Sequence, residues 1–153
     1  MRTLELGGKS PMSIMDDADH GKAVDGAVAG MRFTRQGQSC TAASRIFAHE
    51  PIHYTFVARL RVRVDAMKMG DPLDETTERP SASSDIGTII SPQQFDKVTD
   101  YIRIGEGTPG MHGIACSKLP DDDKLKDGLF VRPVIFVGAP MTRVWLAKRF
   151  SDL

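Results

Sequence analysis

The sequence predicts a layered α/β domain built on a mainly parallel sheet. Short apolar segments alternate along the chain with longer segments whose apolar residues recur at helical spacing. Such alternation is typical of strands connected by helices that pack on the faces of one sheet. The chain has 153 residues, which is enough for one domain with its own core and too few for two of ordinary size.

The first elements predicted are two short strands, at residues 3–6 and 12–15. An acidic cluster follows, in which Asp17 or Asp19 is a natural N-cap. Apolar residues at helical spacing then predict a helix over about residues 20–33. Glycines lower its intrinsic propensity and predict close packing against a neighbouring element; they are Gly21, Gly26 and Gly30.

The next predicted strand, at residues 45–48, leads to Pro51, which suits the first position of a helix. One apolar stripe of that long helix consists of Ile52, Phe56, Leu60, Val64 and Met67. Residues 69–75 have turn composition, and residues 76–85 are predicted to form an exposed loop.

The last part of the chain contains one more helix and two strands. Residues 86–90 are apolar, and Ser91-Pro92 opens a helix that continues through Ile102. A glycine-rich loop separates it from a strand at residues 112–116. A second strand is predicted at residues 130–137, where Pro133 indicates a sheet edge.

Composition excludes several classes of function. Hydrophobic residues make up 41% and charged residues 26%, which is typical of a globular chain. Lys plus Arg and Asp plus Glu both number 20, so the balance gives no support for a nucleic-acid or anionic-membrane surface. We expect no membrane span, because no run of about 18 apolar residues occurs. Two cysteines and no signal-peptide layout predict reduced thiols in the cytoplasm.

Two residues have the surroundings that covalent catalysis needs. Cys40 follows a Gly-Gln-Ser turn and precedes small residues, so a substrate can reach its thiol. Glu5 lies between two leucines and beside a Gly-Gly pair. In a parallel sheet, residues beyond the carboxyl ends of strands share one crevice, where a thiolate nucleophile and a carboxylate base can meet. The alternative is a buried cysteine and a surface glutamate.

Two long motifs carry a family resemblance. Residues 4–11 (LELGGKSP) resemble the glutamate signature of the NAD(P)-dependent aldehyde dehydrogenase superfamily, and residues 33–40 (FTRQGQSC) resemble its cysteine signature. Three further stretches resemble the same family, at residues 68–74, 94–97 and 128–133. The resemblance covers about residues 3–137.

The resemblance implies a three-layer, parallel-sheet catalytic domain of the aldehyde dehydrogenase fold, incomplete, over residues 1–137 with a divergent tail at 138–153. It implies oxidation of an aldehyde, as a small-molecule substrate, to a carboxylic acid with NAD or NADP, and homo-oligomers among full-length members. By resemblance Cys40 is the nucleophile that forms a thiohemiacetal and then a thioester, and Glu5 activates the hydrolytic water. The cofactor-binding residues that it implies are Leu6 and Gly7 near the nicotinamide, and Gln94 and Lys97 near the adenosine ribose.

Departures from the family pattern leave a second hypothesis open. The family's cofactor domain normally precedes the glutamate motif, and a Glu-Glu-Ile-Phe-Gly-Pro segment follows the strand that ends near residue 137. Neither is found here, so the chain resembles an internal piece of a longer enzyme. The alternative function is therefore a truncated, non-catalytic remnant that lacks the cofactor domain.

A third hypothesis is a zinc hydrolase. Residues 49–53 (HEPIH) match the His-Glu-x-x-His pattern, which needs both histidines one turn apart on a helix. Pro51 disfavours this, because proline inside a helix removes an amide donor and costs about 3 kcal/mol. We therefore predict no metal site, and expect His49 and His53 at a strand-to-helix corner. Cys116 is predicted to pack in the core or at a sheet edge, and Asp121–Asp123 to form a solvated turn.

Overall fold

The structure is a computed structural model that describes residue 3, residues 8–71 and residues 85–139. The predicted strand at residues 3–6 lies outside the described residues except for Thr3, and Glu5, Leu6 and Gly7 lie outside them too. The same holds for most of the predicted loop at residues 76–85 and of the tail at residues 138–153.

Seven regular elements are described. In chain order they are β1 (Pro11–Ile14), α1 (His20–Met31), β2 (Arg45–Ala48), α2 (His53–Asp65), α3 (Pro92–Glu106), β3 (His112–Ala115) and β4 (Val134–Val137). Short 3-10 turns occur at Phe33–Arg35 and Glu50–Ile52. None of the described helices has both the length and the apolar character needed to cross a membrane.

The first strand pair confirms the predicted β–helix–β arrangement. β1 and β2 are parallel, with Pro11 opposite Arg45 and Ile14 opposite Ala48, and α1 connects them. The ladder continues one step beyond β2, where the His49 N–H donates to the Ile14 carbonyl at 2.9 Å. Parallel strands need a crossover of this kind, which brings the helix onto the sheet.

Helix α1 begins where an aspartate satisfies its first amides. The Asp19 carboxylate accepts hydrogen bonds from the N–H groups of Gly21 at 2.9 Å and Lys22 at 3.0 Å. Close packing is confirmed at Gly30, where a Cβ would lie 2.8 Å from Met12 Cε. Close packing does not explain Gly26, because a Cβ added there would meet no described atom within 4 Å.

The core lies between α1 and α2. The stripe predicted for the second long helix is buried at every position: Ile52, Phe56, Leu60, Val64 and Met67. From α1 the buried side chains are Val24, Ala27 and Val28. The helix itself begins at His53, because residues 50–52 form a 3-10 turn ahead of it.

The second strand pair differs from the mainly parallel sheet that the sequence predicts. β3 and β4 are antiparallel, with His112 opposite Val137 and Ala115 opposite Val134. The strand predicted at residues 130–137 starts only at Val134. Pro133, which has no N–H to give a ladder, precedes it and accepts the Cys116 N–H on its carbonyl at 2.8 Å.

Among the residues that the structure describes, the segment before α3 makes one ladder contact. Residue 86 forms an isolated parallel bridge with Met69, so the apolar run at residues 86–90 is not a strand. α3 starts as predicted, with Ser91 as its N-cap and the Ser91 hydroxyl accepting from the Gln94 N–H at 3.2 Å. Pro92 is its first residue.

Candidate active site

Cys40 lies on the loop that connects α1 to β2. Three residues with left-handed backbone reverse the chain at the end of the helix: Arg32 at φ 56°, Gln36 at φ 54° and Gly37 at φ 71°. The Gly37 N–H returns to the Arg32 carbonyl at 3.1 Å. Glycine adopts this left-handed conformation at little steric cost. Arg32 and Gln36 carry a Cβ, so the same backbone conformation costs free energy at these two positions.

Hydrogen bonds hold both sides of the cysteine. Before it, the Gln38 N–H donates to the Arg35 carbonyl at 2.8 Å; after it, the Ala43 N–H donates to the Gly30 carbonyl at 2.9 Å. The Ser39 and Thr41 hydroxyls also lie 3.1 Å apart. The loop is therefore anchored on either side of Cys40.

The thiol itself is exposed, as the sequence predicts for a reachable nucleophile. Within the described part of the chain, the Cys40 amide N–H donates no hydrogen bond. An unpaired main-chain donor at the nucleophile is what an oxyanion needs for stabilisation. The loop thus has the local features of a nucleophile site, and the catalytic role of Cys40 remains a prediction.

Two glutamine side chains, which the sequence analysis missed, tie this loop to the segment before α3. The Gln38 Oε1 accepts from the Ile90 N–H at 3.3 Å. With the Gln36 amide oriented to satisfy its neighbours, its oxygen accepts from the Gly87 N–H at 3.1 Å. The two glutamines flank Gly37, and nothing in their spacing indicates a contact with residues 87–90.

This tie brings the cysteine loop next to the start of the helix that carries two predicted cofactor residues. Ile90 immediately precedes Ser91, the N-cap of α3. Gln94 and Lys97 are both half-buried on α3, three residues apart and so on one face of the helix. An amide and an ammonium are groups that can hydrogen-bond the hydroxyls of a ribose, and the cofactor role of the two residues stays a prediction.

A second missed contact involves Arg45. Its Nη2 donates to the Lys9 carbonyl, which lies within the glutamate motif. Its Nε is buried and finds no acceptor among the described residues. The guanidinium carbon also lies 5.9 Å from the centre of the Phe47 ring.

Cys116 has the opposite environment to Cys40. It is fully buried at the end of β3, which confirms the predicted packing role. Its neighbour Ser117 donates its hydroxyl to the Val64 carbonyl at 2.7 Å and its N–H to the Asp65 carboxylate at 2.9 Å. Burial first, and then the charge of Asp65, raise the pKa of the Cys116 thiol against the opposing effect of Arg61 and Arg132.

The His-Glu-x-x-His pattern does not lie on one α-helix. His49 precedes the 3-10 turn that contains Pro51, and its Nδ1 lies 3.4 Å from the Asp16 carboxylate. His53 begins α2, with its ring 5.2 Å from the Tyr54 ring. In residues 8–71 and 85–139, no three His, Cys, Asp or Glu side chains converge in a way that could hold a metal ion.

Comparisons with known proteins agree on one family. The sequence model of the aldehyde dehydrogenase family matches residues 2–147. A protein of Brucella ovis named betaine aldehyde dehydrogenase is 40% identical over 136 residues, which are 88% of this chain and 26% of that protein. The chain therefore spans about a quarter of the length of the curated relatives it matches.

Solved structures give the same result for the fold. PnpE from Pseudomonas sp. WBC-3 is similar with a TM-score of 0.78 and 31% identity over 95% of this chain and 28% of that one. A betaine aldehyde dehydrogenase from Staphylococcus aureus, in complex with NAD+, is similar with a TM-score of 0.71 and 36% identity. That match covers 86% of this chain and 24% of the other. This chain therefore has the fold of one part of that longer protein.

Proposed function

Because this chain belongs to the aldehyde dehydrogenase family, we propose that it carries the nucleophile and the base for NAD-dependent oxidation of an aldehyde to a carboxylic acid. The observation that carries the proposal is the exposed Cys40 in an anchored loop whose sequence matches the family's cysteine motif. Glu5, in the matching glutamate motif, is the proposed base.

The proposed first step belongs to the cysteine loop. The Cys40 thiolate adds to the carbonyl carbon of the aldehyde and forms a carbon–sulfur bond, while the carbonyl oxygen takes up the negative charge. The Cys40 N–H, which has no acceptor among the described residues, is the proposed donor for that oxyanion. The hydrogen bonds of the Gln38 and Ala43 N–H groups restrain the main chain on either side of this donor.

A nicotinamide cofactor, when bound, would accept the hydride that the carbon of the adduct must lose to become a thioester. Gln94 and Lys97 on α3 are the described residues proposed to hold its ribose, and Leu6 and Gly7 are proposed to lie near the nicotinamide. NAD is the first cofactor to test, because a similar betaine aldehyde dehydrogenase structure from S. aureus and a similar structure of PnpE are complexes with it.

The proposed last step uses Glu5. Its carboxylate takes a proton from water, the resulting hydroxide attacks the thioester carbonyl, and the carbon–sulfur bond breaks to release the acid and the Cys40 thiolate. A reduced compartment, the cytoplasm, is part of the proposal because the nucleophile must stay a free thiol. Both Cys40 and Cys116 are free in the structure.

The substrate class proposed is a small aldehyde. Betaine aldehyde is the first to test, since the Brucella relatives are named for it. In full-length family members we expect this unit to work within a homo-oligomer.

The direct experiment follows NADH absorbance after mixing the purified chain with NAD+ and betaine aldehyde. Cys40→Ala is expected to lower turnover at least about 1,000-fold, and Glu5→Gln to lower it while leaving Cys40 able to react. Cys116→Ala is the matched control and keeps activity at temperatures where it is folded. Equal turnover in Cys40→Ala contradicts the assignment. A parent chain that neither turns over nor binds NAD+ favours the non-catalytic alternative.

A further inference from the structure

We propose that Arg45 is a positioning residue that holds the glutamate-bearing segment against the strand that follows the cysteine loop. The inference rests on the proposed roles of Cys40 and Glu5. Arg45 itself does not contact the substrate in this proposal. It acts on Glu5 through the main chain at Lys9.

The geometry starts from the strand pair. Arg45 is the first residue of β2 and lies opposite Pro11, the first residue of β1. Pro11 has no N–H to donate at this end of the ladder. The Arg45 side chain extends the connection beyond the paired strands, because its Nη2 donates to the Lys9 carbonyl two residues before β1.

The two ends of this contact lie close in sequence to the two proposed catalytic residues. Arg45 is 45 − 40 = 5 residues after Cys40, and Lys9 is 9 − 5 = 4 residues after Glu5. One side chain therefore joins the chain that follows the nucleophile to the chain that follows the base. A charge-assisted hydrogen bond to a carbonyl is a strong and directional one.

The surroundings of the Arg45 guanidinium indicate that it positions the segment at Lys9 and adds little to the free energy of folding. Its Nε is buried without an acceptor in the described residues, so part of the desolvation cost is not recovered. An apolar side chain of similar length would avoid that cost. The centre of the Phe47 ring lies 5.9 Å from the guanidinium carbon, and the ring limits the orientations that the planar guanidinium group can adopt. Arg45→Met is therefore expected to fold.

The proposal separates two chemical steps. Acylation needs the Cys40 loop, whereas deacylation needs Glu5 and hence the segment that Arg45 holds. With 4-nitrophenyl acetate, the Cys40 thiolate attacks the acetyl carbonyl and 4-nitrophenolate leaves. Water, deprotonated by Glu5, then attacks the thioester, and acetate and the thiolate are released. No cofactor is needed for either step.

The first test is pre-steady-state release of 4-nitrophenolate by the full chain. In Arg45→Met the burst is expected to stay within about twofold, while the steady-state rate falls about 10- to 100-fold. Arg45→Lys, which keeps a donor, is expected to recover part of the rate. Arg59→Met, at an exposed position on α2, is the matched control and should change neither phase. A parallel loss of burst and steady state in Arg45→Met overturns the proposal, because a general packing defect would act on both.

The second test needs no turnover. Amide hydrogen exchange is measured on a peptide covering residues 3–14 and on one covering α2. Arg45→Met is expected to speed exchange in the first peptide and to leave the second unchanged. Unchanged exchange at residues 3–14 would overturn the proposal. A parent chain without a Cys40-dependent burst contradicts the proposed function instead, and the exchange result then decides the role of Arg45 alone.

Discussion

Cys40 and Cys116 are the same residue in opposite environments. Cys40 lies at an exposed position on a loop made by three left-handed residues, and its amide has no hydrogen-bond acceptor among the residues that the structure describes. Cys116 directly follows β3, is fully buried, and its N–H donates to the Pro133 carbonyl at 2.8 Å. The sulfur of Cys116 also contacts the Ile114 carbonyl at 3.5 Å.

The difference shows what a reactive cysteine needs beyond the thiol. Burial raises the pKa of the Cys116 thiol and so disfavours the thiolate, which is the nucleophilic form. Cys40 is exposed to solvent, and the surrounding loop is held by its own hydrogen bonds. The local backbone therefore decides which cysteine is exposed and which one packs in the core.

The largest expected effect is on thiol labelling in the native state. A chromogenic disulfide reagent should modify Cys40 rapidly and Cys116 at least about 100-fold more slowly, because Cys116 reacts only after local or global opening. Peptide mass spectrometry assigns the two sites. In denaturant the two rates should converge, and Cys40→Ala should show the slow phase alone. Equal native rates would break the comparison.

The surroundings of Cys116 are tested by Ser117→Ala. The buried hydroxyl donates to the Val64 carbonyl at 2.7 Å, but that carbonyl also accepts the Met67 N–H at 3.1 Å. Because one donor remains, we expect a loss of about 1 kcal/mol in the free energy of unfolding.

Denaturant titration measures this loss. Ser44→Ala, at an exposed position, is the control and should leave the midpoint unchanged. Labelling of Cys116 should become faster in Ser117→Ala while that of Cys40 does not, and the reverse pattern would contradict the separation of the two regions.

The raised pKa of Cys116 predicts a dependence of stability on pH. The unfolded chain ionises this thiol near its ordinary value of 9.0, whereas the folded chain holds the proton to higher pH. Its contribution is therefore fully present below pH 9 and is lost as pH rises through the folded pKa. Tm should fall more between pH 8 and pH 10 in the parent chain than in Cys116→Ala, and an equal fall would refute the linkage.

The smallest expected effect is at the anchor of the Cys40 loop. Gln38→Ala removes an exposed hydrogen bond of 3.3 Å to the Ile90 N–H, so the free energy of unfolding should fall by only about 0.5 kcal/mol. Amide exchange at residues 86–91 should rise, and Cys40 labelling should change only slightly. Gln93→Ala, an exposed glutamine on α3, is the matched control. Unchanged exchange at Ile90 would show that the Gln38 side chain does not hold the Ile90 N–H.

Sequence predicted those parts of the fold that local chemistry decides. Asp19 and Ser91 cap helices because their short side chains reach the free amides of the first turn. The stripe from Ile52 to Met67 is buried because its spacing places it on one face. Cys40 was expected to be reachable for the same kind of reason, since small residues and a glycine turn surround it.

Contacts between distant segments were not predictable in this way. Neither side-chain tie of the site has a periodic signal: Gln38 reaches Ile90, and Arg45 reaches Lys9, across 52 and 36 residues. The antiparallel pairing of β3 with β4 was missed because 18 residues separate the two strands and no hairpin turn marks them.

The central claim is that Cys40 is the nucleophile, and the most direct measurement is to locate the acyl group on the protein. The chain is mixed with 4-nitrophenyl acetate, quenched in acid and mapped by peptide mass spectrometry. We predict one acetyl group on Cys40, more of it in Glu5→Gln, and none on the cysteine peptides of Cys40→Ala. An acetyl group on Cys116, or an unacylated Cys40 in the folded chain, would contradict the claim.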